Sequence, residues 1–277
     1  MSRNVERLKQ PQAEKPKALQ PVQPIPQQPL TYSPPTTHVS LPSGGEFYSS
    51  EHPLHGEDTI EVKHMTTREE EILTSAALIQ KGLVIDRLME SVILNKEIPV
   101  ESLLIGDKNA ILVGLRVEAY GAEYPVELSC PACGTGATEQ IDLSALGTLG
   151  KIKEATENGT FVVDLPRTGA KVEVRPLVGT DEKEMLMAAK KSKKYGLEAR
   201  PITSQYKHMI VSVNGNTDPQ EIGVFIENLP AFDSRVLRKA YKEVSPDLDM
   251  SFDFKCDLCD HEQGMEVPIT VNFFWSD

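Results

Sequence analysis

Aromatic side chains are scarce in this sequence: they make up 6% of its 277 residues and include a single tryptophan. Any core must therefore be filled mainly by aliphatic side chains. Long apolar runs are also missing, and nothing approaches the roughly 18 residues that a membrane-spanning helix needs. Behind Met1-Ser2-Arg3-Asn4-Val5-Glu6-Arg7 there is no apolar stretch of signal-peptide type, so the chain is expected to be cytosolic at synthesis. The sequon Asn158-Gly159-Thr160 then carries no meaning.

Positive charge is in short supply as well. Lys and Arg number 29 against 41 Asp and Glu, a formal net charge of −12. A field of that sign repels phosphate backbones, and nucleic acid is not expected as a partner. The basic run Lys190-Lys191-Ser192-Lys193-Lys194 reads as the solvated C-terminal end of a helix, where cations offset the backbone dipole. Catalytic signatures are absent too. There is no phosphate-binding glycine loop, no nucleophile elbow and no zinc-protease helix. His261-Glu262 begins the last pattern, but Met265 stands where its second histidine belongs. Gly134-Thr135-Gly136 lacks a Rossmann context, and His52, His55 and His64 read as scattered loop histidines. The chain is expected to be no enzyme and to take no small-molecule substrate.

What is present divides the chain. Residues 1–40 alternate proline with Gln and Lys and read as an extended arm, because such a segment buries too little surface to offset its ordering entropy. Residues 41–121 combine a turn-rich opening with a helical layer. A capping box at Thr66 and Glu69 starts a helix that runs to Gly82. A second helix covers about Leu83 to Asn95, and Asp107 is read as the cap of a third that ends at Gly121.

From Glu123 the apolar period changes to two. Tyr124, Val126 and Leu128 lead to Cys130, and Ile141 and Leu143 follow Cys133. Near the C-terminus Phe252 and Phe254 lead to Cys256, and Met265, Val267, Ile269, Val271 and Phe273 follow Cys259. Two hairpins over 122–145 and 246–277, each with a Cys-x-x-Cys turn, amount to a split internal repeat. Residues 146–245 read as an insertion holding a hairpin and helices, with 202–213 β-branched enough for a strand. The expected class is α+β: a helical layer, two cysteine hairpins forming a split zinc-ribbon-like module, and an inserted mixed α/β segment.

Two Cys-x-x-Cys turns supply the four thiolates that tetrahedral zinc prefers, and a filled set leaves no position for an activated water. Cys130, Cys133, Cys256 and Cys259 are therefore the expected ligands of a structural Zn²⁺. Paired disulfides, a dithiol redox centre and an iron–sulfur cluster remain alternatives at this point, the first disfavoured by a reducing compartment. His261 stands close enough to Cys259 to substitute as a ligand. Phe273, Phe274 and Trp275 read either as a terminus docked on its own sheet or as anchors for a partner.

Several longer words resemble a known family. They are Leu41-Pro42-Ser43-Gly44-Gly45-Glu46-Phe47-Tyr48, Met65-Thr66-Thr67-Arg68-Glu69-Glu70-Glu71-Ile72-Leu73, and Leu115-Arg116-Val117-Glu118-Ala119-Tyr120-Gly121. Further along stand Leu229-Pro230-Ala231-Phe232-Asp233-Ser234-Arg235 and Asn272-Phe273-Phe274-Trp275. Their order over about residues 41–277 resembles the baseplate hub and hub-assembly group of contractile-tailed bacteriophages. The resemblance implies a structural component or an assembly factor of the tail baseplate, in contact with hub, wedge or tape-measure proteins. It implies neither catalysis nor a nucleotide cofactor. It places the protein in the host cytoplasm during assembly and then in the virion tail. A transient chaperone that leaves before the tail is complete is the alternative, and a zinc-ribbon nucleic-acid binder a more distant one. The cysteine pairs are not a fixed part of the family's pattern, so their role reads as stability of this member.

Overall fold

Alternating side chains over Thr36–Ser40 form strand β1, which pairs antiparallel with β2 (Thr59–Lys63), Thr36 opposite Lys63. The computed structural model describes residues 32–150, 156, 158–269 and 271–274. The arm expected over 1–40 lies outside the described residues as far as position 31, and its last five residues belong to β1.

The helix expected from Thr67 to Gly82 is two helices, α1 (Thr67–Thr74) and α2 (Ala76–Lys81), broken at Ser75. Ser75 is extended, with ψ at 102°, and its carbonyl accepts the first amides of α2. The physical reason is burial: α1 buries Glu69 and Leu73, whereas α2 buries nothing that would hold it in line. Helix α3 (Val84–Val92) lays Val84, Leu88, Met89 and Val92 into the core.

Helix α4 (Ile105–Tyr120) begins two residues before Asp107, so Asp107 is not its cap. Its carboxylate is instead fully buried and reaches back to the turn-rich opening. It accepts from the Ser43 amide at 3.0 Å, the Ser43 hydroxyl at 2.6 Å and the Tyr48 hydroxyl at 2.8 Å. Burial pushes the Asp107 carboxyl up, and the bonds from Ser43 and Tyr48 pull the other way. A Cβ on Gly106 would lie 2.0 Å from the Pro246 carbonyl, so only glycine admits the return of the chain there.

After α4 come strands β3 (Glu123–Ser129) and β4 (Gly136–Asp142), an antiparallel hairpin. The segment expected as an insertion opens with β5 (Thr148–Leu149) and continues with β6 (Phe161–Asp164) and β7 (Lys171–Val174). Helices α5 (Gly179–Lys194) and α6 (Pro201–Met209) follow, the second passing directly into β8 (Ile210–Val213). The β-branched run thus splits, and its second half adds an edge to the sheet β6-β7-β8. Helices α7 (Pro219–Glu227) and α8 (Ala231–Val244) lead to β9 (Asp247–Leu248). Strand β9 pairs with β5, Thr148 opposite Leu248, so the segment returns to its point of departure. It is no separate body, since its Phe161, Val172, Tyr206 and Leu237 share one hydrophobic core with Leu41, Leu88 and Ile111.

The second hairpin is β10 (Ser251–Lys255) with β11 (Glu262–Glu266). The strand expected to run on to Phe273 ends at Glu266, two residues before Pro268, and Val271–Phe274 forms a 3-10 turn. Phe273 and Phe274 are buried in the protein's own core, with Phe273 edge-on to Tyr124 at 5.0 Å. Trp275 lies outside the described residues. No described helix is long and apolar enough to cross a membrane.

The capping box at the start of α1 reaches further than a cap. The buried Glu69 carboxylate accepts from the Thr66 amide at 2.9 Å and hydroxyl at 2.6 Å, from Lys63 at 2.7 Å and from Ser91 of α3 at 2.5 Å. Burial alone would raise its pKa, but Lys63, Ser91 and Thr66 together hold it down to about 2, below the ordinary 4.5. A depressed carboxyl contributes stability above its unfolded value that disappears as pH falls through the folded one. Glu69→Gln should therefore melt at a lower temperature than the parent at neutral pH. The gap between the two should close between about pH 4.5 and 2, read by thermal melting across a pH series.

Candidate metal centre

Each cysteine turn is built by the same backbone bonds. In the first, the Gly134 amide donates to the Cys130 carbonyl at 2.8 Å and the Cys130 amide to Thr135 at 2.8 Å. In the second, Asp260 donates to Cys256 at 3.0 Å and Cys256 to His261 at 2.9 Å. The residue after the second cysteine is left-handed in both, Gly134 at φ 74° and Asp260 at φ 52°. The split repeat read from spacing is thus a repeated local structure, with glycine at one site and a strained aspartate at the other.

The two turns meet through their sulfurs. Cys130 Sγ lies 3.7 Å from Cys259 Sγ, and Cys133 Sγ 3.7 Å from Cys256 Sγ, so each close pair joins one hairpin to the other. All four ligand atoms lie within 4.8 Å of one another. A disulfide needs about 2.05 Å, and all four cysteines are free thiols. Zinc–sulfur bonds of about 2.3 Å at tetrahedral angles place sulfurs about 3.8 Å apart. The close pairs match that edge length. Cys130 and Cys256 are buried beside Phe254, with Leu128, Ala137, Phe252 and Met265 around them, while Cys133 and Cys259 face solvent.

Titration of the cluster is uneven. The Thr135 hydroxyl and amide beside Cys133, with an Sγ–Oγ1 distance of 3.3 Å, draw its thiol down to about 6. The His261 amide favours the Cys259 thiolate too. Desolvation and the other three sulfurs outweigh it and push Cys259 up to about 12. Cys133 thus ionises readily, whereas Cys259 needs a nearby cation to do so. Four sulfur donors gathered at this spacing fit a soft divalent metal.

The histidines weighed as ligands are employed elsewhere. His52 stacks on Tyr48 with ring centroids 4.4 Å apart, and its Nε2 lies 2.7 Å from the Ser102 hydroxyl. The His55 ring donates to the Tyr48 carbonyl at 2.8 Å, and His64 lies 3.5 Å from the Glu118 carboxylate. The His261 ring points to Gln263. Among the described residues the four cysteines form the only grouping of His, Cys, Asp and Glu with ligand geometry. Sequence reading missed the roles of Thr135, two residues after Cys133, and of Asp260, which stands after Cys259 where Gly134 stands after Cys133.

A Cβ on Gly134 would meet nothing within 4 Å, so replacement there acts through backbone strain alone. Gly134→Val should destabilise the protein by about 1–2 kcal/mol. Asp260→Gly should be neutral or mildly stabilising. Paired melting curves of the two variants check the difference in sign.

The words shared with phage tail proteins are spent on holding the fold. Ser43 and Tyr48 grip Asp107, and Thr66 and Glu69 tie α1 to α3. Arg116 donates to the Phe273 carbonyl at 3.2 Å and the Gly121 carbonyl at 2.8 Å. The buried Asp233 of α8 accepts the Arg167 and Thr168 amides at 3.0 and 2.8 Å, fastening the β6–β7 turn. No curated protein and no solved structure matches the chain. The family model described as T4 bacteriophage base plate protein matches residues 34–275, a span that holds every one of these contacts and all four cysteines. The chain belongs to that family of phage baseplate proteins.

Proposed function

We propose that the protein is a structural subunit of the phage tail baseplate, at or near the hub. It is held in shape by one zinc ion and acts through contacts with hub, wedge or tape-measure proteins. The family match over residues 34–275 carries the baseplate assignment. The zinc reading rests on the four sulfurs gathered within 4.8 Å from two distant hairpins. Four cysteine ligands fill a tetrahedral zinc, so the metal serves the fold and activates no water. A non-catalytic role is further supported by the use of the buried charges. Asp107, Glu69, Asp233 and Lys108 are each engaged by internal partners, Lys108 by Asp86 at 3.2 Å and Glu182 at 2.9 Å. On this reading the protein resides in the host cytoplasm while the tail is built and in the baseplate afterwards.

Quantitative mass spectrometry of purified virions tests the assignment. A fixed copy number per particle is expected, whereas absence from mature particles would identify a transient assembly factor instead. Elemental analysis of the purified protein should give one zinc per chain. Cys130→Ser or Cys256→Ser should lose the metal and melt far below the parent, since structural zinc binding is worth on the order of 10 kcal/mol. Identical melting of parent and variant, with and without chelator, would refute the zinc reading.

A further inference from the structure

Helix α8 hides one side and leaves the other in water. Leu237 and Val244 are buried in the core, and Asp233 holds the β6–β7 turn. Opposite them, Arg235, Arg238, Lys239 and Lys242 stand at i, i+3, i+4 and i+7, the spacing that aligns side chains along one stripe of a helix. All four are exposed, and the stripe runs about 10 Å along the helix axis. Like charges at these spacings repel and weaken a helix unless an anion offsets them.

Strand β5 faces this stripe. The four cations, with Glu243 and Thr148, Leu149 and Gly150 of the β5 side, line one open groove of about 910 Å³. Four cations therefore share a single surface with one carboxylate, in a chain whose net charge is −12. Internal pairing uses little of that charge. Lys239 lies 3.8 Å from Glu243 and Lys242 lies 3.6 Å from Glu266, both pairs out in solvent where such contacts are weak. Arg235 lies over the Phe232 ring, 5.6 Å from its centre. Among the described residues, neither Arg235 nor Arg238 has a carboxylate in ion-pair range.

The groove calls for an anion, and its form selects among the candidates. A small anion is held best in an enclosed site with convergent polar groups, whereas these cations stand on an open rim. A nucleic acid runs on beyond a 10 Å stripe, and its further phosphates meet the field of an acidic chain. A bilayer is entered by the apolar face of a helix, and that face of α8 is already in the core. The longer stretches of this chain outside the described residues have the wrong sign. Residues 1–31 carry Arg3, Arg7, Lys9, Lys15 and Lys17 against Glu6 and Glu14, and 151–155 carry Lys151 and Lys153 against Glu154. A short acidic segment of another chain matches both the extent of the stripe and the guanidinium preference for carboxylates. We infer that the groove between α8 and β5 docks an acidic polypeptide segment of another baseplate protein, its carboxylates on Arg235, Arg238, Lys239 and Lys242. This docking rests on the reading that the protein works through contacts with other tail proteins, and gives one such contact its place and its charge.

Fluorescence anisotropy of a labelled Glu/Ala peptide of about 10 residues, long enough to span the stripe even as a helix, titrated with the full-length protein, tests it. Saturable binding that weakens as salt rises is expected. Arg235→Ala with Arg238→Ala, and separately Lys239→Ala with Lys242→Ala, should each weaken binding about tenfold. Lys190→Ala with Lys191→Ala, an equally charged pair on α5 outside the groove, should leave it unchanged. All these side chains are exposed, so the melting temperatures should stay at the parent's value. Arg235→Glu with Arg238→Glu should turn the preference toward a Lys/Ala peptide. Undetectable binding, or equal weakening by the α5 pair, would overturn the inference. So would tighter binding of duplex DNA, of anionic lipid vesicles or of inorganic phosphate, or parent self-association that the α8 substitutions abolish. None of these readouts is a measure of metal content or of presence in virions, so the two readings fail separately.

Discussion

Helix α4 is buried around most of its circumference, and the remainder of the chain is arranged by what that helix will accept. Gly106 admits the Pro246 backbone, Asp107 holds the opening turns, and Lys108 bridges α3 to α5. Asn109 donates to Asp247 at 3.1 Å, and Val39 of β1 lies over Gly114 where no side chain stands. Two residues on, Arg116 holds the backbone of Phe273. Buried polar groups of this kind are costly unless every one is satisfied. Among the described residues, no buried side-chain nitrogen or oxygen lacks a partner. That requirement makes the arrangement of segments around α4 mutually dependent: displacing one leaves a charge in the core.

This dependence explains which features could be read in advance. Helices α3, α5, α7 and α8 and both cysteine hairpins show in the periodicity of their own residues, because burial of one face leaves a local trace. The four cysteines were legible as a set for the same reason, each pair carrying its turn with it. Asp107 looked like a helix cap because aspartate at a helix start usually is one. Its real partners stand 64 and 59 residues away and leave no local mark. The break at Ser75 and the pairing of β1 with β2 were obscured similarly, since each is decided by tertiary contact and not by propensity.

The words that tie the chain to baseplate proteins prove to be contact points between segments and not the lining of a pocket. Ser43, Tyr48, Glu69, Arg116 and Asp233 all lie where one element is fastened to another. In such a scaffold the surface is free to differ while the fastenings stay. The lysine-rich end of α5 and the acidic remainder of the chain illustrate that freedom: charge is segregated outside, while among the described residues every buried side-chain nitrogen and oxygen has a hydrogen-bond partner.

The long separation between the cysteine turns also orders events in time. Cys133 and Cys256 are 123 residues apart. At ribosomal rates of about 5–20 residues per second, the first turn emerges roughly 6–25 seconds before its counterpart. During that interval Cys130 and Cys133 form half a site on a hairpin that has nothing to close against. The newborn chain thus carries an uncompleted thiol pair through the 123 residues that separate Cys133 from Cys256, and sealing the hairpins together waits for the second turn.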